Sequence, residues 1–288
     1  MKDRLTTLGY SAGWSLVRAL PLPVARTLFR AAADRAWKSN GKGTQRLRRN
    51  LQQVVGPEMP ETLVRDGLRS YARYWMEAFR LTGATPGQTY PGFFMHPESH
   101  DALKQGVAEG NGVVLALPHV ANWDAAAVWV VSQDWQLITV AERLKPEAVY
   151  QQFLDYRERL GMRVLPLTGG ERPPLDVLAE HLSQGWIVPL LADRDLSRAG
   201  VEVDFFGGKA RMPAGPAILA IRTGAPLYAV DCWYTESRVE SVMRRVTPPA
   251  DGPLDERVKR TTQLLADAYA AGIADHPQDW HMLQKLWL

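Results

Sequence analysis

The chain has 288 residues, of which 46% are apolar and 23% charged, and this composition excludes disordered and fibrous proteins. Its one cysteine, Cys232, excludes a disulfide framework and a cysteine-based zinc site. No apolar run reaches the roughly 18 to 20 residues of a membrane-spanning helix, and Arg4 and Arg18 leave only a weak apolar stretch between them. We therefore expect no signal peptide, a mature chain that starts near Met1, and a soluble or peripheral protein.

The net charge of +3 conceals a strongly basic N-terminal segment. Residues 1–50 carry eleven Lys and Arg against Asp3 and Asp34, a formal charge of +9, so the remaining 238 residues sum to about −6. Such asymmetry indicates an anionic partner, which could be nucleic acid, a phosphorylated cofactor or a lipid surface. Trp and Leu side chains run through the segment, which favours a pair of interfacial amphipathic helices at a membrane surface. The alternative is two ordinary amphipathic helices packed on the domain, with a solvated stripe formed by Arg26, Arg30, Asp34 and Lys38.

The elements that follow predict an α/β fold. Helical spacing dominates to about residue 82, with one helix over 62–81, and a loop is expected over 82–97. Short apolar runs then alternate with helix-length stretches. The predicted strands are 113–117, 137–140, 164–167, 186–191, 227–230 and 239–246, and the predicted helices are 124–131, 146–160, 174–184 and 213–223. This alternation predicts a mostly parallel central sheet flanked by helices, with an amphipathic helical N-terminal extension. We expect one domain over 1–288, with a basic helical part over 1–82 and a catalytic core over 100–288.

The strongest chemical signal is a histidine at the end of the first long strand. His119 ends the run LPH and stands five residues before Asp124, across a predicted strand-to-helix turn. An acid at this spacing could bind one imidazole nitrogen and leave the other free as a base. No Ser or Cys lies nearby as a nucleophile, so the base would activate a hydroxyl of the substrate, as in direct acyl transfer. The same spacing occurs at His96 and Asp101 in the predicted loop, and a locally capped structural histidine is the alternative for both.

Other polar residues follow the remaining strands. Glu142 comes after the second strand and Asp193 with Arg194 after the fourth, so their side chains are expected at the same sheet edge as His119. Carboxylates at this edge suit hydroxyl-rich acceptors, although solvated salt bridges would explain them equally well. Arg157 could supply a cation to an oxyanion. His181, His276 and Cys232 are interpreted as structural, and no set of residues has metal-ligand spacing.

With these residues in view, the chain resembles the bacterial lysophospholipid acyltransferase superfamily, in its lipid A lauroyl acyltransferase branch. More closely, it is similar to the actinobacterial phosphatidylinositol mannoside acyltransferases. The matching stretches run nearly the whole length: RLRRNL (46–51), SYARYWMEAFR (70–80), LALPHVANWD (115–124), VAERLKPE (140–147), YRERLGMRVLPLTGGER (156–172), DRDLSRAG (193–200), DFFGGKARMPAGP (204–216) and PQDWHMLQ (277–284).

The resemblance implies roles for particular residues. His119 would be the general base and Asp124 its orienting partner, while Arg157 would lie near the reacting carbonyl. Acceptor contacts would come from Glu142, Asp193 and Arg194, although Asp stands at 193 where the family is expected to have Glu. An apolar groove for the acyl chain would be lined by Leu115, Val128 and Trp129.

The resemblance also implies the reaction. A long acyl chain, palmitoyl by preference, would move from acyl-CoA to the 6-hydroxyl of mannose on phosphatidylinositol mannoside, with no covalent intermediate. Acyl-CoA would be a co-substrate, and no cofactor or metal would be needed. The protein would work at the cytoplasmic face of the plasma membrane as a peripheral protein, with residues 1–50 against the anionic surface.

Other functions remain open on the sequence. The same base could activate water, which would make the protein an acyl-CoA thioesterase, or the acceptor could be another glycolipid of the lipid A kind. A non-catalytic peripheral lipid-binding protein would use the basic helices and the groove without needing the His119 base. Nucleic-acid binding is the least favoured function, because no recognition motif accompanies the basic segment.

Overall fold

The structure is a computed structural model that describes residues 14, 16–83, 86–143, 147–195 and 199–288. Three helices precede the sheet: α1 (Leu22–Ser39), α2 (Lys42–Val55) and α3 (Glu61–Arg80). Helix α1 ends at Asn40, whose left-handed φ of 48° lets its N–H bind the last carbonyls of the helix. The three helices share a small core of their own, formed by Ala33, Leu47, Leu51, Val64 and Leu68.

Over residues 93–191 the remaining elements alternate between strands and helices, as predicted, and two further pairs of consecutive strands follow. In chain order they are β1 (Phe93–Met95), α4 (Pro97–Ala108), β2 (Val113–Leu117), α5 (Trp123–Ser132), β3 (Ile138–Ala141), α6 (Glu147–Arg159), β4 (Arg163–Pro166), α7 (Pro174–Leu182), β5 (Ile187–Leu191), β6 (Val201–Phe205), β7 (Gly208–Met212), α8 (Gly215–Thr223), β8 (Leu227–Tyr234), β9 (Val239–Val246) and α9 (Leu254–Asp275). A 3-10 turn over Pro277–Asp279 follows α9.

The central sheet has the strand order β1-β9-β8-β2-β5. Strand β2 is parallel to both β5 and β8, β1 is parallel to β9, and only β8 and β9 run antiparallel. All five residues of β2 are buried, as expected of a central parallel strand covered on both faces. Strands β3 and β4 form a separate parallel pair, and β6 and β7 form an antiparallel hairpin.

The predicted fold class is confirmed. Each of the six predicted strands and each of the four predicted helices of the α/β part is present, with bounds that shift by at most four residues. Four features were not predicted: β1, α4, α9 and the β6–β7 hairpin. The loop expected over 82–97 holds β1 at its end. Residues 205–208 form the tight connection of the hairpin, with Phe206 at φ 47°.

The surface of α1 is both apolar and cationic. Leu22, Val24 and Leu28 are exposed to solvent, as is Leu16 before the helix, and α1 also carries the exposed cations Arg26, Arg30, Arg35 and Lys38. Asp34 departs from the predicted solvated stripe, because Arg69 of α3 binds both its oxygens at 2.6 and 2.7 Å. Lys2 and Arg4 lie outside the described residues. Within the described ranges, no helix combines the length and the apolar character that crossing a membrane requires.

Candidate active site

The loop between β2 and α5 carries His119, and backbone hydrogen bonds attach this loop to the C-terminal segment, residues 276–288. His281 N–H donates to the carbonyl of His119 at 2.8 Å, and Ala121 N–H donates to the carbonyl of Asp279 at 2.9 Å. Ala121 has a left-handed φ of 44°, an unfavourable conformation for a residue with a Cβ. This turn lets Asn122 cap α5, with its side-chain oxygen accepting from Ala125 N–H at 3.0 Å. The loop is therefore fixed at both of its sides.

The imidazole of His119 is bound by Asp193. The Nδ1 atom lies 2.5 Å from Oδ1 of Asp193, and the backbone N–H of His119 donates to the other oxygen at 3.0 Å. The strand register explains why His119 and Asp193 lie together. Leu117 pairs with Leu191 across the parallel strands β2 and β5, and His119 and Asp193 each follow two residues later. The His119 side chain keeps 27% of its surface exposed, whereas Asp193 is fully buried. The Nδ1 bond leaves Nε2 as the nitrogen that can act as a base.

A third donor completes the surroundings of Asp193. The indole N–H of the fully buried Trp280 donates to Oδ2 at 3.0 Å. Burial alone would raise the pKa of Asp193, but the charge of His119 and the hydrogen bonds from His119 and Trp280 lower it below its usual value. Asp193 is therefore held as a carboxylate beneath the imidazole.

Two predicted roles need correction at this point. Asp124 is not the partner of His119: its oxygens bind Arg157 Nε at 3.0 Å and the Tyr74 hydroxyl at 3.1 Å. Asp124 lies in the first turn of α5, beyond the Ala121 bend, while the register of the sheet brings Asp193 to the imidazole. Asp193 in turn cannot contact an acceptor, because it has no exposed surface.

His119 opens onto a cavity of about 420 Å³ that is lined by apolar as well as polar side chains, and we call it the polar cavity because His119, Glu142 and Arg194 lie at it. The side chains that line this polar cavity come from α3, α5, α6, the strand ends and the C-terminal segment, and they include Tyr71, Tyr74, Trp75, His119, Trp123, Glu142, Tyr150, Arg157, Arg194 and His281. The predicted acceptor residues Glu142 and Arg194 thus lie at the same cavity as His119, and Arg194 Nη2 is 3.9 Å from Glu142 Oε2.

A second cavity runs beneath the sheet edge and is lined almost entirely by apolar side chains. This apolar cavity includes Leu115, Leu117, Ala126, Ala127, Val130, Leu137, Met162 and Ile187. Leu115 lies where it was predicted. Val128 and Trp129 do not line this cavity, because the face of α5 turned towards it carries residues 123, 124, 126, 127 and 130, at helical spacing. Val128 is buried in the core, and Trp129 packs against Phe93, His100 and Trp135.

The polar and apolar cavities meet near His119. Trp123, Arg157 and Leu191 line both of them, and the rings of His119 and Trp123 are 5.5 Å apart. A ligand with an apolar tail and a polar reacting end would therefore place its reacting atoms between His119 and Arg157.

Several residues of the site were missed by sequence reasoning. Trp280 and His281 lie in the PQDWHMLQ stretch, where nothing in their spacing points to His119. Ser70, whose hydroxyl donates to Asp279 Oδ1 at 2.6 Å, and Asn50, whose amide donates to the carbonyl of Met282 at 2.7 Å, anchor that stretch from α3 and α2. In the sequence these residues are marked only by lying in separate stretches that match the family, and the fold brings those stretches together.

The remaining histidines make local contacts. His96 stands at the start of helix α4 rather than in a loop, and its Nε2 is 3.4 Å from Glu240. His181 binds Arg163 and the carbonyl of Val177, and His276 stacks on Trp233. In the described part of the chain, no three His, Cys, Asp or Glu side chains come together as a metal site.

Comparison with known proteins identifies the family to which the chain belongs. The chain is 50% identical to the phosphatidylinositol mannoside acyltransferase of Mycolicibacterium smegmatis, over 99% of this chain and 92% of that protein. It is 48% identical to the protein of the same name from Mycobacterium tuberculosis, over 98% of this chain and 89% of that protein. Residues 3–288 match the family described as bacterial lipid A biosynthesis acyltransferase, and the chain belongs to that acyltransferase family.

Proposed function

We propose that this protein transfers a long acyl chain, palmitoyl by preference, from acyl-CoA to the 6-hydroxyl of mannose on phosphatidylinositol mannoside. The observation that carries the proposal is the His119–Asp193 pair at the point where a polar and an apolar cavity meet. The names of the relatives support the acceptor, since both are phosphatidylinositol mannoside acyltransferases.

In the proposed mechanism His119 acts as a general base. Its Nε2 takes the proton of the mannose hydroxyl while that oxygen attacks the thioester carbonyl. The negative charge that develops on the carbonyl oxygen is stabilised by Arg157, whose guanidinium lies at the junction of the cavities. The carbon–sulfur bond then breaks, and the thiolate of CoA receives the proton from His119. Asp193 holds the imidazole in the required tautomer and stabilises its protonated form.

The polar cavity is suited to a sugar. Among the described residues, eight buried side-chain nitrogen or oxygen atoms have no hydrogen-bond partner, and half of them belong to residues of this cavity: Trp123 Nε1, Tyr150 Oη, Arg194 Nε and His281 Nδ1. Buried polar atoms are normally paired, so this concentration fits a ligand with many hydroxyl groups. Of these four residues only Trp123, at the junction, also lines the apolar cavity, whose otherwise mainly apolar walls suit the acyl chain.

The exposed face of α1 supports a place at a membrane surface. The exposed apolar residues from Leu16 to Leu28 and the cations among them match an interfacial helix, in which apolar side chains enter the lipid and cations face anionic headgroups. We infer a peripheral association with the cytoplasmic face of the plasma membrane, where acyl-CoA is available.

The test is release of CoA thiol from palmitoyl-CoA with and without phosphatidylinositol mannoside, for wild type, His119→Ala and His96→Ala. We expect acceptor-stimulated release of CoA that His119→Ala abolishes and His96→Ala leaves intact. His96 serves as the control because it lines neither cavity and its ring contacts Glu240 instead. Formation of the acylated glycolipid, followed by mass spectrometry, identifies the hydroxyl that is acylated.

The other functions predict different results in the same assay. Release that does not respond to the acceptor would indicate a thioesterase, and stimulation only by a different glycolipid would change the acceptor. Palmitoyl-CoA that binds without any release would leave a lipid-binding role. Each of these results would refute the proposed reaction.

A further inference from the structure

His281 lies beside the catalytic loop in an unusual state. Its side chain is 93% buried, it lines the polar cavity, and Tyr71 and Tyr74 pack against the ring. The Nε2 atom lies 2.9 Å from the hydroxyl oxygen of Ser70. The Nδ1 atom has no hydrogen-bond partner among the described residues. Nε2 is therefore hydrogen-bonded within the protein, and Nδ1 is available to a ligand in the cavity.

The partner of Ser70 determines which nitrogen carries the proton. A hydroxyl has one hydrogen, and that of Ser70 points to Oδ1 of Asp279 at 2.6 Å. The other oxygen of Asp279 accepts from the backbone N–H of Tyr234 at 2.9 Å. Burial raises the pKa of Asp279 above its usual value, although the hydrogen bonds from Ser70 and Tyr234 oppose this shift. With Asp279 as a carboxylate both of its oxygens are acceptors, and the hydroxyl oxygen of Ser70 accepts from His281 Nε2–H. This chain of bonds leaves Nδ1 as an unprotonated acceptor.

The ring of His281 also stays neutral at neutral pH. Burial, with the charge of the nearby His119, lowers the pKa of His281 to about 3. Nδ1 is thus an acceptor at neutral pH, and it differs in this from Trp123 Nε1 and Arg194 Nε, which can only donate.

We propose that Nδ1 of His281 accepts a hydrogen bond from a mannose hydroxyl other than the one that is acylated, which makes His281 a residue that determines acceptor specificity. This inference rests on the proposed function. The acyl chain and its thioester have no hydrogen to donate, so of the two substrates' reacting parts only the sugar can satisfy this nitrogen. His281 N–H binds the carbonyl of His119, so a sugar that presents one hydroxyl to His119 has its other hydroxyls near His281.

The first test uses phosphatidylinositol mannoside acceptors that each lack one mannose hydroxyl. The variant is His281→Gln, in which the amide reaches the position of Nε2 and keeps a contact with Ser70 while Nδ1 is removed. His276→Gln, in the same segment but stacked on Trp233, is the matched control. We expect His281→Gln to raise the KM for the intact acceptor on the order of 10-fold to 100-fold, the usual loss when a buried group is left unpaired.

One deoxy acceptor should be distinguished from the others. Wild type should bind it as poorly as His281→Gln binds the intact acceptor, and the variant should show no further loss with it. An equal penalty for every acceptor, or an unchanged KM for the intact one, would overturn the proposal. If His281→Gln does not fold, the deoxy series with wild type and the variant His281→Asn, whose amide oxygen lies near the position of Nδ1, decide the matter. The KM of wild type should then rise for one deoxy acceptor only, and the KM of His281→Asn for the intact acceptor should lie below the wild-type KM for that deoxy acceptor.

The second test reads the tautomer directly. The ¹⁵N NMR spectrum of the folded wild type should show His281 Nδ1 as an unprotonated ring nitrogen, and Ser70→Ala should remove that preference. A protonated Nδ1 in wild type would refute the inference. Failure of the underlying function is distinguishable, because wild type itself would then show no acceptor-dependent release of CoA.

Discussion

Replacing Asp193 with Asn changes one atom of a fully buried side chain, and the structure predicts which way the new amide would lie. Two donors, the backbone N–H of His119 and the indole N–H of Trp280, both point to Oδ2. The amide oxygen must take that position, so the amide nitrogen faces His119 Nδ1. It donates there, which forces the proton of the neutral imidazole onto Nε2.

The expected consequence is a folded enzyme with the wrong tautomer. With Nε2 protonated, the imidazole cannot accept the proton of the attacking hydroxyl. General-base assistance contributes on the order of 10² to 10⁴ in rate, which corresponds to about 2.7 to 5.5 kcal/mol of transition-state stabilisation. The loss should appear in kcat, while the KM for palmitoyl-CoA changes little because Asp193 has no exposed surface for substrate.

The assay compares acceptor-dependent CoA release by Asp193→Asn, Asp193→Glu and Asp124→Asn, with ¹⁵N NMR of His119 in each. Asp193→Glu keeps a carboxylate on Nδ1 and should retain much of the activity that Asn loses. Asp124→Asn should leave the His119 tautomer unchanged, because its contacts are Arg157 and Tyr74. Wild-type kcat in Asp193→Asn, or a tautomer change in Asp124→Asn but not in Asp193→Asn, would refute the reasoning.

Three further predictions concern the acyl chain, the membrane and pH. Ala127→Phe should fill the apolar cavity and shift the preference from palmitoyl-CoA to shorter acyl-CoA chains in a competition assay. A larger side chain at Val128, which does not line the cavity, should leave that preference unchanged. Leu28→Glu should weaken sedimentation with anionic vesicles roughly tenfold or more, while Leu254→Glu, equally exposed on α9, should not. Because the pKa of His281 is lowered to about 3, the unfolded chain binds a proton below its usual pKa that the native state does not. Stability should therefore fall with pH from about 6.5 towards 3, by up to about 1.4 kcal/mol per pH unit. Denaturant unfolding should show that His281→Gln reduces the slope by this contribution, most clearly between about pH 6 and 5, where carboxylates with ordinary or lowered pKa values titrate little.

Most of the fold could be predicted because hydrophobic periodicity reports burial on each element separately. The fully buried run of β2 and the alternation of strands and helices were sufficient for the fold class. Strand β1 was missed because it has only three residues. Helix α9 was missed although it is 22 residues long, since its apolar positions are interrupted by Asp, Arg, Lys and Gln side chains.

The sequence predicted single residues of the site, but not that Asp193 is the partner of His119. His119, Glu142, Arg157 and Arg194 were found from their places at strand ends and on one helix, and all of them line the polar cavity. The acid was assigned wrongly because spacing in sequence favours a near neighbour, and Asp193 lies 74 residues from His119. Trp280, a further 87 residues on, carries no chemical signal of its own in the sequence.

Strand register would have identified the acid where sequence spacing failed. In adjacent parallel strands that pair in register, residues the same distance beyond the last pair lie side by side. Leu117 and Leu191 end such strands, so positions 119 and 193 are neighbours whatever their distance in sequence. Position 124, by contrast, lies in a helix that begins after a bend and turns its side chain to Arg157. In α/β enzymes of this kind, the orienting partner of a base at a strand end should therefore be sought first at the end of the adjacent parallel strand, and only then along the chain.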